Sequence, residues 1–119
     1  MDAVPLQEIN DSTPSESSAV VAARVSKARN IQQERYKSIG KHCNAQLNNI
    51  EVKRFCTPDR EAIRLLNTAV DTLHLSMRAY QRILKVARTI ADLDGSGTIS
   101  SNHVAEAVQY RELDQKYWR

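Results

Sequence analysis

Ser76 to Leu93 reads SMRAYQRILKVARTIADL, and its periodicity decides the fold class. Tyr80, Ile83, Leu84, Ala87, Ile90 and Ala91 recur at helical spacing as one apolar stripe. Arg78, Arg82 and Lys85 follow at i, i+4 and i+7 along a separate, basic face. Ser76 is suited to the N-cap, where its hydroxyl accepts a backbone N–H from the first turn. That cap puts Arg78 at the second helical position, projecting from the helix start. A guanidinium there is placed to reach a phosphate held by something else, because the chain has no GxxxxGK[ST] loop to hold one itself.

The segments on either side extend the helical reading. Thr57-Pro58 signals a helix start, a capping hydroxyl followed by a proline whose missing N–H costs nothing there. Asp59 and Glu61 suit the positive end of its dipole, and Ile63, Leu66, Val70 and Leu73 form its inner face up to His74. The short connector to Ser76 predicts that these two helices pack as an antiparallel pair. Upstream, Ser17 or Ser18 opens a helix to about Tyr36 with Val21, Val25, Ala28 and Ile31 inward. Residues 37–47, with Gly40 and Asn44, read as an irregular connector. Asn48 or Asn49 caps a short helix with Ile50, Val52 and Phe55 on its inner face. Beyond Asp94-Gly95-Ser96-Gly97, Ser100 or Ser101 restarts the chain as a last helix with Val104, Ala107 and Val108 inward. Only three Gly and three Pro leave little turn chemistry for a β fold. The expected architecture is an all-α bundle of four to five helices over 17–114, with a disordered acidic lead-in at 1–16 and a tail at 115–119.

At 119 residues the chain suits one domain, and with 5% aromatics its core must be built from Ala, Val, Leu and Ile. The net charge of +3 is unevenly placed. Residues 1–16 carry −4; residues 17–90 hold 14 Lys/Arg against 5 Asp/Glu; residues 91–119 carry −2. The basic middle section faces phosphate, nucleic acid, an acidic partner or simply solvent. No apolar run approaches the roughly 18 residues of a membrane span, so no membrane role is read, and the expected compartment is the reducing cytoplasm. Cys43 and Cys56, 13 positions apart, match no metal spacing and are expected as free thiols. With His42 they still fall short of the four ligands of structural zinc.

Residues 92–103, DLDGSGTISSNH, resemble a calcium-binding EF-hand loop. Asp92, Asp94 and Ser96 occupy the first three ligand positions, and Gly97 and Ile99 fall where the loop places glycine and an apolar residue. His103 stands where the loop needs a bidentate carboxylate, and neutral imidazole is a poor ligand for a hard cation. The competing reading is a connector of small polar residues, with His103 a structural residue in the first turn of the last helix.

The stretch Leu75–Tyr80 with Arg82–Leu93 resembles the C-terminal domain of magnesium-chelatase-like AAA+ ATPases, of the competence-associated ComM/YifB type. Further matching blocks are Glu16–Ala19, Arg24-Val25, Ala28-Arg29, Asn44–Leu47 and His103–Arg111 (HVAEAVQYR), in the right order over about residues 15 to 111. The resemblance implies a helical lid that follows a nucleotide-binding core outside these 119 residues. Residues 1–16 would then be the tether from that core and Met1 an added start codon. It implies that Arg78 is the sensor-2 arginine, reading the γ-phosphate of ATP held with Mg on the core. Arg82, one turn along, could assist, although a surface or salt-bridging role competes; Arg88 is read as a contact to another helix or subunit. The implied partners are the core domain of the same chain and neighbouring subunits of a homo-oligomeric ring, with DNA reached through the parent. On this reading the fragment alone is no enzyme, contains no catalytic residue and carries no cofactor. The alternative is a stand-alone basic helical DNA-binding or adaptor domain. It is weakened because the exposed side of the Ser76 helix lacks the Asn, Gln and Arg mixture that reads base edges.

Overall fold

The computed structural model describes residues 17–118, with side chains through Glu112. The lead-in read over 1–16 lies outside the described residues. Among the described residues five α-helices follow one another: α1, Ser18–Arg35; α2, Asn49–Phe55; α3, Arg60–Leu73; α4, Met77–Leu93; and α5, Ser101–Trp118. Two short 3-10 turns, Lys37–Ile39 and Asn44–Gln46, fill the connector between α1 and α2. The expected all-α bundle is therefore the observed one. Helix α5 runs through most of the segment read as a tail.

Local chemistry explains most boundaries. Ser17 caps α1 through Val20 N–H at 3.1 Å. Asn48 caps α2 in a capping box, its side chain accepting from Glu51 N–H while Glu51 accepts from Asn48 N–H, both at 2.9 Å. The start of α3 lies two residues later than Thr57-Pro58 predicts. Asp59, expected in the first turn, is the actual cap, accepting from Ala62 N–H at 2.9 Å. The reason is a competing pairing: Pro58 sits beside Ile99, and Asp59 N–H donates to Ile99 C=O at 2.9 Å. This bridge ties the entrance of α3 to the turn before α5. Helix α3 ends at His74, whose φ of 54° lies in the left-handed region usually given to glycine. Helix α4 ends in a Schellman motif: Gly95 at φ 74°, Ser96 N–H on Ala91 C=O and Gly95 N–H on Asp92 C=O.

The core is centred on α4. Ile83, Leu84, Ala87 and Ala91 are buried against Tyr36, Leu47, Val52, Leu66, Ile99, Val104 and Ala107, while Tyr80 and Ile90 flank it. The expected α3–α4 pair is not the dominant contact, since both helices pack mainly on α5. Two inward-face readings also differ. Ile50 is 78% exposed and Ile63 41% exposed, each at the start of its helix, before the face turns onto the core. In α1 only Ala28 and Gln32 are buried, and Val21 and Val25 stay exposed. Of the expected face only Ala28 is buried and Ile31 is half-buried, since no described element covers its first half. Among the described residues no helix is long and apolar enough to cross a membrane.

Candidate functional site

The first turn of α4 is built as its sequence implies. Ser76 accepts from Ala79 N–H at 3.1 Å, and its carbonyl accepts from Tyr80 N–H at 2.9 Å. Arg78 therefore emerges at the second helical position and is exposed. Arg82, one turn further, is exposed too and Lys85 half-buried. These three line one open groove of about 770 Å³ between α4 and the Ala45–Asn49 connector, with the exposed Met77 at one end. Lys85 Nζ reaches toward Ala45 C=O at 3.5 Å. Neither Arg78 nor Arg82 has a carboxylate within ion-pair distance among the described residues. The structure thus brings Arg78 and Arg82 together on one unneutralised ridge.

Two other arginines behave oppositely. The Asp92 carboxylate, 1% exposed, accepts Arg35 Nη2 at 2.6 Å and Arg88 Nε at 3.2 Å on one oxygen. Its other oxygen accepts Arg35 Nη1 and Asn44 Nδ2, both at 3.1 Å. All four lone-pair directions are used. The remaining donors are also placed: Arg88 Nη1 and Nη2 bond the carbonyls of Gly97 and Ser96 at 3.2 and 2.7 Å. The Tyr36 hydroxyl donates to Asn44 Oδ1, and Asn44 Nδ2 also reaches Thr89 at 3.0 Å. Burial alone would lower the Arg35 pKa, but its hydrogen bonds to Asp92 and Tyr36 outweigh it and raise it further. Arg88, read as a contact to another helix or subunit, instead holds its own chain's 94–97 turn. This node of Arg35, Asn44, Arg88 and Asp92 escaped the sequence reading. One signal was present: Leu84, Arg88 and Asp92 repeat every four residues beside the Ile83–Ala87–Ala91 row, so the charges lie within the buried stripe.

The same geometry explains the calcium-loop resemblance. Asp92, which would be the first ligand, faces inward onto two arginines. His103 turns back on its own cap: its Nδ1 accepts Ser100 N–H at 3.0 Å and its Nε2 lies 3.1 Å from Asp94. The loop is thus organised by a helix cap and a buried ion pair, as the connector reading has it. Both cysteines are free thiols. Cys56 is buried and its pKa is pushed up to about 11 by burial, partly offset by Arg88 and Arg35. Among the described residues no cluster of three His, Cys, Asp or Glu could hold a metal ion.

Residues 15–111 match the family described as magnesium chelatase, subunit ChlI C-terminal. The Escherichia coli protein YifB, itself described as uncharacterized, is 45% identical over 102 residues, covering 86% of this chain and 19% of that protein. Competence protein ComM of Haemophilus influenzae is 47% identical over 98 residues, covering 82% of this chain and 18% of that protein. An uncharacterized Mycobacterium bovis protein is 34% identical over 97 residues, 82% of this chain and 19% of its own length. This chain thus spans about a fifth of the length of the curated relatives it matches. No solved structure matches. Given a match over nearly the whole described helical region, the chain belongs to the magnesium chelatase subunit ChlI C-terminal family, in its ComM/YifB form.

Proposed function

We propose that this domain is the helical lid of a magnesium-chelatase-like AAA+ ATPase and that Arg78 is its sensor-2 arginine, directed at ATP held by a core domain of the same polypeptide. The observation that carries this reading is the contrast between the two sets of arginines. Arg35 and Arg88 are committed to Asp92, whereas Arg78 is exposed beside an open groove, with no carboxylate paired to it among the described residues. A guanidinium keeps its charge at any physiological pH and can bond phosphate through two parallel N–H groups. Arg78, with Arg82 one turn along, fits contacts to phosphate. The sequence has no phosphate loop, and among the described residues no group of three His, Cys, Asp or Glu could hold a metal ion; on this reading nucleotide and Mg are held by the core.

The consequence is a two-position device. A charge-assisted hydrogen bond contributes about 1.5–3 kcal/mol. Made only when the lid is closed over the triphosphate, it shifts closure by roughly 10- to 150-fold. Loss of the γ-phosphate removes that bias, so lid motion can pass to neighbouring subunits of a ring. Arg82 assists from the next turn. A cytoplasmic parent that works on DNA belongs to the same proposal, supported by the competence name of the Haemophilus influenzae relative.

The test is Arg78→Ala in the full-length polypeptide, with steady-state ATP hydrolysis as readout and circular dichroism of the lid as control. The expected outcome is a loss of turnover with helicity unchanged. Turnover equal to that of the parent would remove the sensor assignment.

A further inference from the structure

A groove of about 680 Å³ opens along the uncovered half of α1, where α1, α4 and α5 meet. Its apolar lining comes from Val21 and Val25 on α1, Val86, Ile90 and Leu93 on α4, and Tyr110 on α5. Its charged lining is mixed, Arg24 with Asp94 and Glu106, so neither an anion nor a cation is favoured over an apolar guest. Seven large apolar side chains stay exposed among the described residues, and three of them, Val21, Val25 and Tyr110, line this one groove. Apolar residues scattered singly are ordinary on a surface, but a contiguous group marks a site that something covers.

The chain itself carries a fitting guest. Ahead of α1, Val4, Leu6 and Ile9 fall within six positions, and the next six residues, Asn10–Ser15 (NDSTPS), are all of types that favour turns. We propose that residues 4–9 fold back over this groove and bury Val4, Leu6 and Ile9 against Val21, Val25 and Ile90. The reach is sufficient. Six residues span up to about 20 Å, and Val25 lies eight residues into α1 from the Ser17 cap, about 12 Å at the helical rise. A guest tethered at the edge of its own site acts at an effective concentration of about millimolar, which favours it over a second copy or a separate partner. The acidic residues of the lead-in, Asp2, Glu8, Asp11 and Glu16, need no partner in the groove and can stay in water. On this proposal residues 1–16 are a strap on the domain instead of the disordered tether expected from composition. The docking is independent of the Arg78 reading; on the lid reading it also fixes the direction in which the chain leaves the lid for the core.

The 119-residue chain with labelled methyl groups is examined by NOE spectroscopy and by urea unfolding followed by circular dichroism. An equal mixture of labelled and unlabelled chains separates contacts within one copy from contacts between two. The expected result is a set of NOEs from Leu6 and Ile9 methyls to Val21 and Val25, within one copy and unchanged on dilution. Leu6→Ser with Ile9→Ser should abolish them and raise the unfolding equilibrium constant by at least about tenfold, the equivalent of one buried Leu or Ile side chain. Val25→Ser should then cost less in that double variant than in the parent chain, since the two substitutions remove the same contact. Both variants alter exposed or lead-in positions and leave the buried core of the five helices unchanged. Absence of the NOEs, with the double variant as stable as the parent, would overturn the proposal. NOEs found only between copies and fading on dilution would overturn it too, and would assign the groove to a second copy of the chain.

Discussion

Replacing Asp92 with alanine isolates the largest electrostatic commitment in the described core. The carboxylate is 1% exposed and receives four hydrogen bonds, from two arginines and Asn44. Its removal leaves the Arg88 side chain, 4% exposed, without a counter-charge, held only by the carbonyls of Ser96 and Gly97. Arg35, 19% exposed, can turn toward water and recover part of its loss. Breaking a buried pair by deleting one partner costs about 3–5 kcal/mol, because the surviving charge stays desolvated. Arg35's route to solvent argues for the lower end, about 3 kcal/mol. For a domain of this size each kcal/mol moves Tm by roughly 4–8 °C, so the fall should be at least about 12 °C. Urea unfolding followed by circular dichroism measures it, with an unchanged m-value confirming that the native state keeps its compactness. The double variant Arg88→Met with Asp92→Leu should recover much of the loss, since well-packed apolar residues often replace buried ion pairs at little cost. A loss below about 1 kcal/mol for Asp92→Ala would refute the argument, because only a solvent-compensated carboxylate behaves so.

Four further outcomes follow from single sites. Asn48→Ala removes the capping box of α2 and should cost about 1 kcal/mol in the same urea assay. His74→Gly should stabilise the domain by about 0.5 kcal/mol, since glycine relieves the strain of φ 54° but loses more entropy on folding. Cys56, 1% exposed with its pKa pushed up to about 11 by burial, should resist a thiol reagent at pH 8 that labels Cys43. A thiol whose folded pKa lies above its unfolded value near 9 favours the fold fully below pH 9. Stability should therefore fall as pH rises from 9 through about 11, and Cys56→Ala should flatten that fall; the Tyr36 phenol, also raised by burial, pulls in the same direction.

Periodicity revealed faces well and their partners poorly. The α4 stripe of Ile83, Leu84, Ala87 and Ala91 is buried as its spacing requires. Val21 and Val25 lie on the face of α1 that continues into Ala28 and Gln32, yet only the latter two are covered. Spacing reports which residues share a face; burial needs a second element long enough to reach it. The Thr57-Pro58 signal failed for a similar reason. Its local chemistry was sound, but a bond between Asp59 and Ile99, forty positions downstream, fixed the strand-like conformation that a cap at Asp59 needs. Arg78 was placed correctly because its geometry is purely local, set by Ser76 two residues away. Arg88 was not, because its counter-charge Asp92 is buried by partners far away in sequence, Arg35 and Asn44.

Helix α4 joins these two kinds of arginine in one rigid body. Asp92 lies fourteen residues beyond Arg78, about 21 Å at the helical rise of 1.5 Å per residue. At that far end the helix is clamped to α1 through Arg35, to the Asn44 turn, and to the 94–97 turn that leads toward α5 through Arg88. A helix packed into the core along its length and clamped at one end transmits a displacement at its charged end instead of absorbing it, since close-packed interiors deform little. On the sensor reading, a phosphate that draws Arg78 inward must therefore carry α1 and α5 with α4. On that reading the buried ion pair would serve function for a reason separate from stability. A single carboxylate that joins α4 to α1 and to the Asn44 turn ties these segments together, so a lid built this way would move as a unit.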